Sequence, residues 1–136
     1  GGLGRLAKNL KKFKPDFVLI ELGGNDALRG YSIKLIKSNL EKMIALIKQN
    51  KSKVLLMQIR IPPNYGQKYM LAFEKIYKDL ALSEEVYLMP FMLEEIGINS
   101  ELMQPDGIHP NKKAQSLIAK DVKKNIDKFL LINQSN

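Results

Sequence analysis

The sequence predicts an α/β fold with a parallel sheet covered by helices, and three observations predict it. Apolar residues recur at helical spacing in four longer segments. Three short, nearly continuous apolar runs lie between them, the pattern of parallel strands covered on both faces. The two patterns alternate in the order α-β-α-β-α-β-α, as a parallel sheet with crossover helices requires.

The first helix is marked by Leu3, Leu6, Ala7, Leu10 and Phe13, and Pro15 ends it. Residues 17–22 read as the first strand, broken by Gly23-Gly24-Asn25-Asp26. Ile33, Ile36, Leu40, Met43, Ile44 and Ile47 mark the second helix, with Ser32 as its N-cap. Residues 54–59 form the second strand, stopped by Pro62-Pro63-Asn64-Tyr65-Gly66. Met70, Phe73, Ile76, Tyr77 and Leu80 mark the third helix, residues 86–88 a third strand ending near Pro90, and residues 91–98 a short helix. Residues 104–111 are a loop with two prolines, before a final helix carrying Ala114, Leu117, Ile118, Val122, Ile126, Phe129 and Leu130.

A chain of 136 residues suits one small domain, here residues 1–136. It has no cysteine, so neither a disulfide framework nor a thiolate metal site is expected. No apolar run approaches the roughly 20 residues that span a bilayer, so stable membrane insertion is not expected. Residues 1–4 open on neither Met nor an apolar targeting segment. The formal net charge of +8 raises the question of an anionic partner. Lys8, Lys11, Lys12 and Lys14, and then Lys120, Lys123, Lys124 and Lys128, interleave with apolar positions on two helices. They read as solvated helix faces, and no nucleic-acid partner is expected.

Two polar clusters follow strands, at the carboxyl ends where ligands bind in parallel sheets. His109 is the only histidine, and an imidazole suits proton transfer near neutral pH. Asp106 stands three residues before it, close enough in a tight turn for the carboxylate to bond one ring nitrogen. Pro110 keeps His109 out of a helix. Taken alone, Asp-x-x-His more often describes a loop aspartate and a surface histidine. In the other cluster Asn25 follows two glycines, which let the backbone turn sharply. Its amide offers two donors, suited to an oxyanion, although Gly-Gly-Asn-Asp alone is also an ordinary turn. Asp26 reads as a residue that caps the next segment or pins the loop.

Together these segments resemble the SGNH (GDSL-type) serine hydrolases. Gly23-Gly24-Asn25-Asp26 matches their Gly-x-Asn-Asp block, and Asp106-Gly107-Ile108-His109 their terminal Asp-x-x-His block. The wording of residues 22–30, Leu56-Met57-Gln58-Ile59-Arg60-Ile61-Pro62 and Asn64-Tyr65-Gly66 is similar to the acyl-CoA thioesterase I/lysophospholipase L1 (arylesterase) branch. The resemblance covers essentially the whole chain. It implies a flavodoxin-like three-layer α/β/α sandwich with its N-terminal strand or strands missing, so that residues 1–136 are the C-terminal portion of one domain. It implies a Ser-His-Asp mechanism on small acyl esters or thioesters, with His109 as general base, Asp106 its partner and Asn25 an oxyanion donor. Gly24 and Ala27, Leu28 and Arg29, on to Tyr31, would border the acyl chain, with Ile61, Pro62 and the loop to Gly66 beside them. No metal or cofactor is implied, and a periplasmic or secreted location is compatible with the family.

The family's Gly-Asp-Ser-Leu block is absent from the 136 residues. Ser32, Ser38, Ser52, Ser83, Ser100, Ser116 and Ser135 all lack that context, so the nucleophile and an N-terminal segment completing the site are expected outside this chain. The alternative is a noncatalytic pseudoenzyme or binding module. An unrelated receiver-like or nucleotide-binding domain has no Gly-rich phosphate loop to support it.

Overall fold

The computed structural model describes residues 1–134, so Ser135 lies outside the described residues. They group into two compact units, which divide between Leu88 and Met89. The sheet has three strands in the order β1-β2-β3, where β1 is Phe17–Ile20, β2 Lys53–Met57 and β3 Tyr87–Met89. β1 and β2 run parallel, with Phe17 opposite Lys53 and Ile20 opposite Leu56. The parallel α/β arrangement that the alternation predicts is the one observed.

In the first unit, α1 (Gly2–Phe13) ends where Lys14 turns left-handed, at φ 44°, and donates its N–H to Leu10 O at 2.9 Å. Pro15 cannot extend the helix. α3 (Ile33–Gln49) starts at Ser32, whose hydroxyl accepts from Leu35 N at 3.3 Å. Its stripe of Ile36, Leu40, Met43, Ile44 and Ile47 is buried, and it packs on α1, on β2 and on α4 (Gln67–Ser83). Each such side chain contributes about 1.5–3 kcal/mol by leaving water. Phe73, Ile76, Tyr77 and Leu80 of α4 and Val54, Leu55, Leu56 and Met57 of β2 complete this core. Ser52 Oγ donates to Pro15 O at 2.7 Å and Lys53 N to Asp16 O at 2.9 Å, so the turns leading into both strands are bonded together.

The structure changes several expected boundaries. The first strand stops at Ile20, not at 22, and is only partly covered: Phe17, Val18 and Leu19 are half-buried. β1 stands at the edge of the described sheet, which leaves it less enclosed than β2. The second strand stops at Met57, after which the Gln58 side chain donates to Ile59 O at 2.9 Å and Glu74 O at 3.3 Å. Residues 24–28 are not a loop but a short helix, α2 (Gly24–Leu28).

In the second unit, residues 91–98 form successive turns instead of the expected short helix. Glu94 N bonds Phe91 O, Gly97 N bonds Leu93 O and Asn99 N bonds Ile96 O, a mixed pattern that does not propagate. Single 3-10 turns, Ser100–Leu102 and Lys112–Ala114, flank the loop 104–111. α5 (Gln115–Gln134) follows, so Ala114 precedes the final helix. Phe129 is buried, Ile118, Val122 and Ile126 are half-buried, and Leu117 and Leu130 are exposed. The lysines named above are exposed on both helices, as solvated faces should be. Among the described residues no helix is long and apolar enough to cross a membrane, and no group of three or more His, Cys, Asp or Glu side chains is placed to hold a metal ion.

Candidate active site

The second unit brings Asp106 and His109 into direct contact. Asp106 Oδ1 accepts from the backbone N–H of Ile108 at 2.9 Å and of His109 at 3.0 Å, which closes the turn locally. Gly107 supplies the left-handed residue this turn requires, at φ 66°. Asp106 Oδ2 is 2.7 Å from His109 Nδ1. The His109 backbone N–H and ring, and then the Ile108 N–H, hold the Asp106 carboxyl down at about 2. An ionised carboxylate only accepts, so at neutral pH the proton between them sits on Nδ1. In the neutral imidazole Nε2 then carries the lone pair. The His109 side chain is 66% exposed and that of Asp106 44%.

The loop around the pair is fastened to the segment before it. His109 O accepts from Gln104 N at 2.7 Å, and Met103 and Pro110 form an antiparallel bridge. The Asn111 amide donates to Glu101 O at 2.7 Å and Met103 O at 3.2 Å, while its oxygen accepts from Lys113 N at 2.9 Å. Among the described residues no serine hydroxyl bonds the His109 ring.

The first unit holds the other expected residues. β1 leads into Gly23, whose φ of 110° few other residues adopt. Gly24, Asn25, Asp26, Ala27 and Leu28 make up α2, with Arg29 as its C-cap. Asn25 is exposed, and among the described residues its amide forms no hydrogen bond. Asp26 stands in the first turn, where it makes no side-chain cap, a role the sequence allowed it. Ala27 is buried, Leu28 half-buried and Arg29 exposed. A Cβ on Gly24 would lie 3.3 Å from Ile59 Cγ2. Ile61 is buried and Pro62 half-buried, just before a 3-10 turn, Pro63–Tyr65. Tyr65 of that turn donates its hydroxyl to Leu28 O at 3.1 Å, which joins the 61–66 loop to the end of α2.

Two further tyrosines escaped the sequence reading of this cluster. Tyr69 donates to Tyr31 O at 2.6 Å and lies 3.4 Å from Ala27 O, and Tyr77 donates to Leu22 O at 2.8 Å. The signal was present: Tyr69, Phe73 and Tyr77 recur every four residues, one aromatic face of α4.

Known proteins are similar to this chain. An arylesterase of Vibrio mimicus is 50% identical over 129 residues, 95% of this chain and 64% of its own length. Thioesterase 1/protease 1/lysophospholipase L1 of Escherichia coli (strain K12) is 47% identical over 118 residues, 87% of this chain and 57% of its own length. The chain thus spans about three-fifths of the length of the curated relatives it matches. The crystal structure of a psychrotrophic esterase, EstA from Pseudoalteromonas sp., inhibited by monoethylphosphonate, superposes with a TM-score of 0.93. It is 40% identical, and the match covers 96% of this chain and 71% of that one. The model of the GDSL-like lipase/acylhydrolase family matches residues 1–117, a span that includes Asn25, Asp106 and His109. The chain belongs to the GDSL-like lipase/acylhydrolase family.

Proposed function

We propose that this chain serves a hydrolase of carboxylic esters and acyl thioesters working by a Ser-His-Asp mechanism. The nucleophilic serine lies outside these 136 residues. Its Oγ attacks the acyl carbon while His109 Nε2 takes the hydroxyl proton. Asn25 donates to the oxygen that becomes negative. Collapse of the tetrahedral species expels the alcohol or thiol, protonated by His109, and leaves an acyl-serine. Water, deprotonated by His109, then attacks the acyl carbon, and His109 returns that proton to the serine Oγ as the acid leaves. Gly24, Ala27, Leu28, Arg29, Ile61 and Pro62 border the acyl chain. No metal or cofactor takes part in this scheme.

The observation that carries the reading is the Asp106–His109 contact at 2.7 Å, with Asp106 held ionised and the His109 side chain exposed. A histidine oriented in this way is a ready base, and a loop that only displayed a surface histidine would not need it. The arylesterase and thioesterase/lysophospholipase activities in the relatives' names support the substrate class. Phosphonate inhibition of the related esterase supports acyl transfer to a nucleophile.

The test joins this chain to a relative's N-terminal strand and serine block and measures hydrolysis of an aryl ester. Turnover that disappears in His109→Ala is expected. A joined protein that folds and binds substrate but does not turn it over overturns the proposal in favour of a binding module.

A further inference from the structure

We propose that Tyr69 and Tyr77 are positioning residues for Asn25, holding the two ends of the short helix that carries it. The proposal rests on the reading of Asn25 as an oxyanion donor.

α2 has five residues. Isolated helices shorter than about 12–15 residues are marginal in water, so α2 owes its geometry to what it touches. Before it, Leu22 O accepts the Tyr77 hydroxyl at 2.8 Å. The same hydroxyl occupies the space a Gly23 Cβ would need. Tyr77 is fully buried, and its ring meets Phe73 edge-on, with centroids 5.4 Å apart and planes at 79°. This anchor has almost no freedom to move.

After α2, the Tyr69 hydroxyl lies between Tyr31 O at 2.6 Å and Ala27 O at 3.4 Å. Tyr69 and Tyr77 stand eight residues apart on α4, about 12 Å along the helix axis. One rigid helix therefore grips both flanks of α2. Bonds from Ala27 N to Gly23 O at 3.0 Å and from Arg29 N to Asn25 O at 3.2 Å carry the restraint to the Asn25 backbone. Burial, with a smaller push from the Asp26 charge, raises both phenols above their ordinary range, so both remain protonated donors at neutral pH. An oxyanion donor gains its effect from being fixed before the reaction, and these two hydroxyls do the fixing.

Tyr69→Phe is the decisive variant, because the bond it removes from the Tyr31 carbonyl is exposed, whereas the bond Tyr77→Phe removes from the Leu22 carbonyl is part-buried beside the core. Hydrogen exchange on the full chain compares residues 22–31 with residues 36–47 of α3. The expected result is about three- to tenfold faster exchange in 22–31, as loss of one hydrogen bond implies, with 36–47 unchanged. The Tyr31 carbonyl ¹³C resonance should move upfield in step. In the chain joined to a relative's serine block, kcat should fall by a similar factor with KM unchanged. Equal exchange in variant and parent, or equal acceleration in both segments, overturns the proposal. So does faster exchange in 22–31 with kcat unaffected while Asn25→Ala remains impaired. The exchange measurement uses no substrate, so the clamp and the oxyanion reading can fail separately: if Asn25→Ala also leaves kcat unchanged, the oxyanion reading is the one that fails.

Discussion

The Asp106 carboxylate grips His109 twice, through the backbone N–H at 3.0 Å on one oxygen and the ring Nδ1 at 2.7 Å on the other. One acidic side chain thus sets both the turn and the orientation of the ring. Because these bonds favour the charged form, Asp106 is held at about 2, below its ordinary 3.8. The sign follows: a group depressed on folding contributes fully above its unfolded value, and the contribution fades as pH falls through the folded value. The Asp106 carboxyl ¹³C resonance should titrate with a midpoint near 2, and the Ile108 and His109 amide protons should move with it. A midpoint at 3.8 would mean that these bonds do not persist in solution.

Replacing Asp106 separates geometry from tautomer control. In Asp106→Asn the remaining oxygen still accepts from the Ile108 and His109 amides, so the turn survives. The new NH₂ faces Nδ1 as a donor, which places the imidazole proton on Nε2, where the lone pair is needed. In the chain joined to a relative's serine block, kcat should fall by up to about 10⁴. His109→Ala should cost at least as much, because serine is a weak nucleophile without an adjacent base. Aryl-ester kinetics over a pH series check both. The 136-residue chain alone should show no turnover above background, and no serine in it should react with a fluorophosphonate probe.

Much of this was legible in the residues themselves. The period-3.6 stripes of α3 and α4 bury most of the side chains that the pattern selects, and the Ser32 cap forms, whereas of the α1 stripe only Leu10 is buried and Phe13 stands exposed. The three-residue spacing and the helix-excluding Pro110 allow the Asp106–His109 contact without requiring it, and the observed turn makes it. α2 was not legible, since a five-residue helix at Gly-Gly has no periodicity to detect. Its flanks are bonded by hydroxyls on α4, more than thirty residues later in the chain. Residues 91–98 show the reverse error. Leu93 and Ile96 suggest a helix, but the bonds there mix three- and four-residue turns.

Gly23 should be the most sensitive glycine of the first unit. Its φ of 110° strains any side chain, and a Cβ there would collide with the Tyr77 hydroxyl. Gly23→Ala should lose about 1–3 kcal/mol to backbone strain alone, with the steric conflict added. Urea denaturation measures the total. In a Tyr77→Phe background the collision is gone and the strain stays, so Gly23→Ala should cost less there. An equal cost in both backgrounds would remove the Tyr77 hydroxyl from the account.

Asn25→Ala tests the oxyanion role without touching the fold. The side chain is exposed, and among the described residues its amide makes no hydrogen bond, so its removal leaves no buried group unpaired. Alanine is also a better helix former, so α2 should not suffer. Thermal stability should therefore stay within about 0.5 kcal/mol of the parent, the range of ordinary surface substitutions. Kinetics should change far more. The amide meets full negative charge only in the tetrahedral transition state, so its loss is felt there and little in the bound substrate. With a serine block joined, kcat should fall by about 10²–10³ and KM should hardly move. A raised KM with kcat intact would make Asn25 a substrate-binding residue, and unchanged kinetics would leave it as an exposed position on α2.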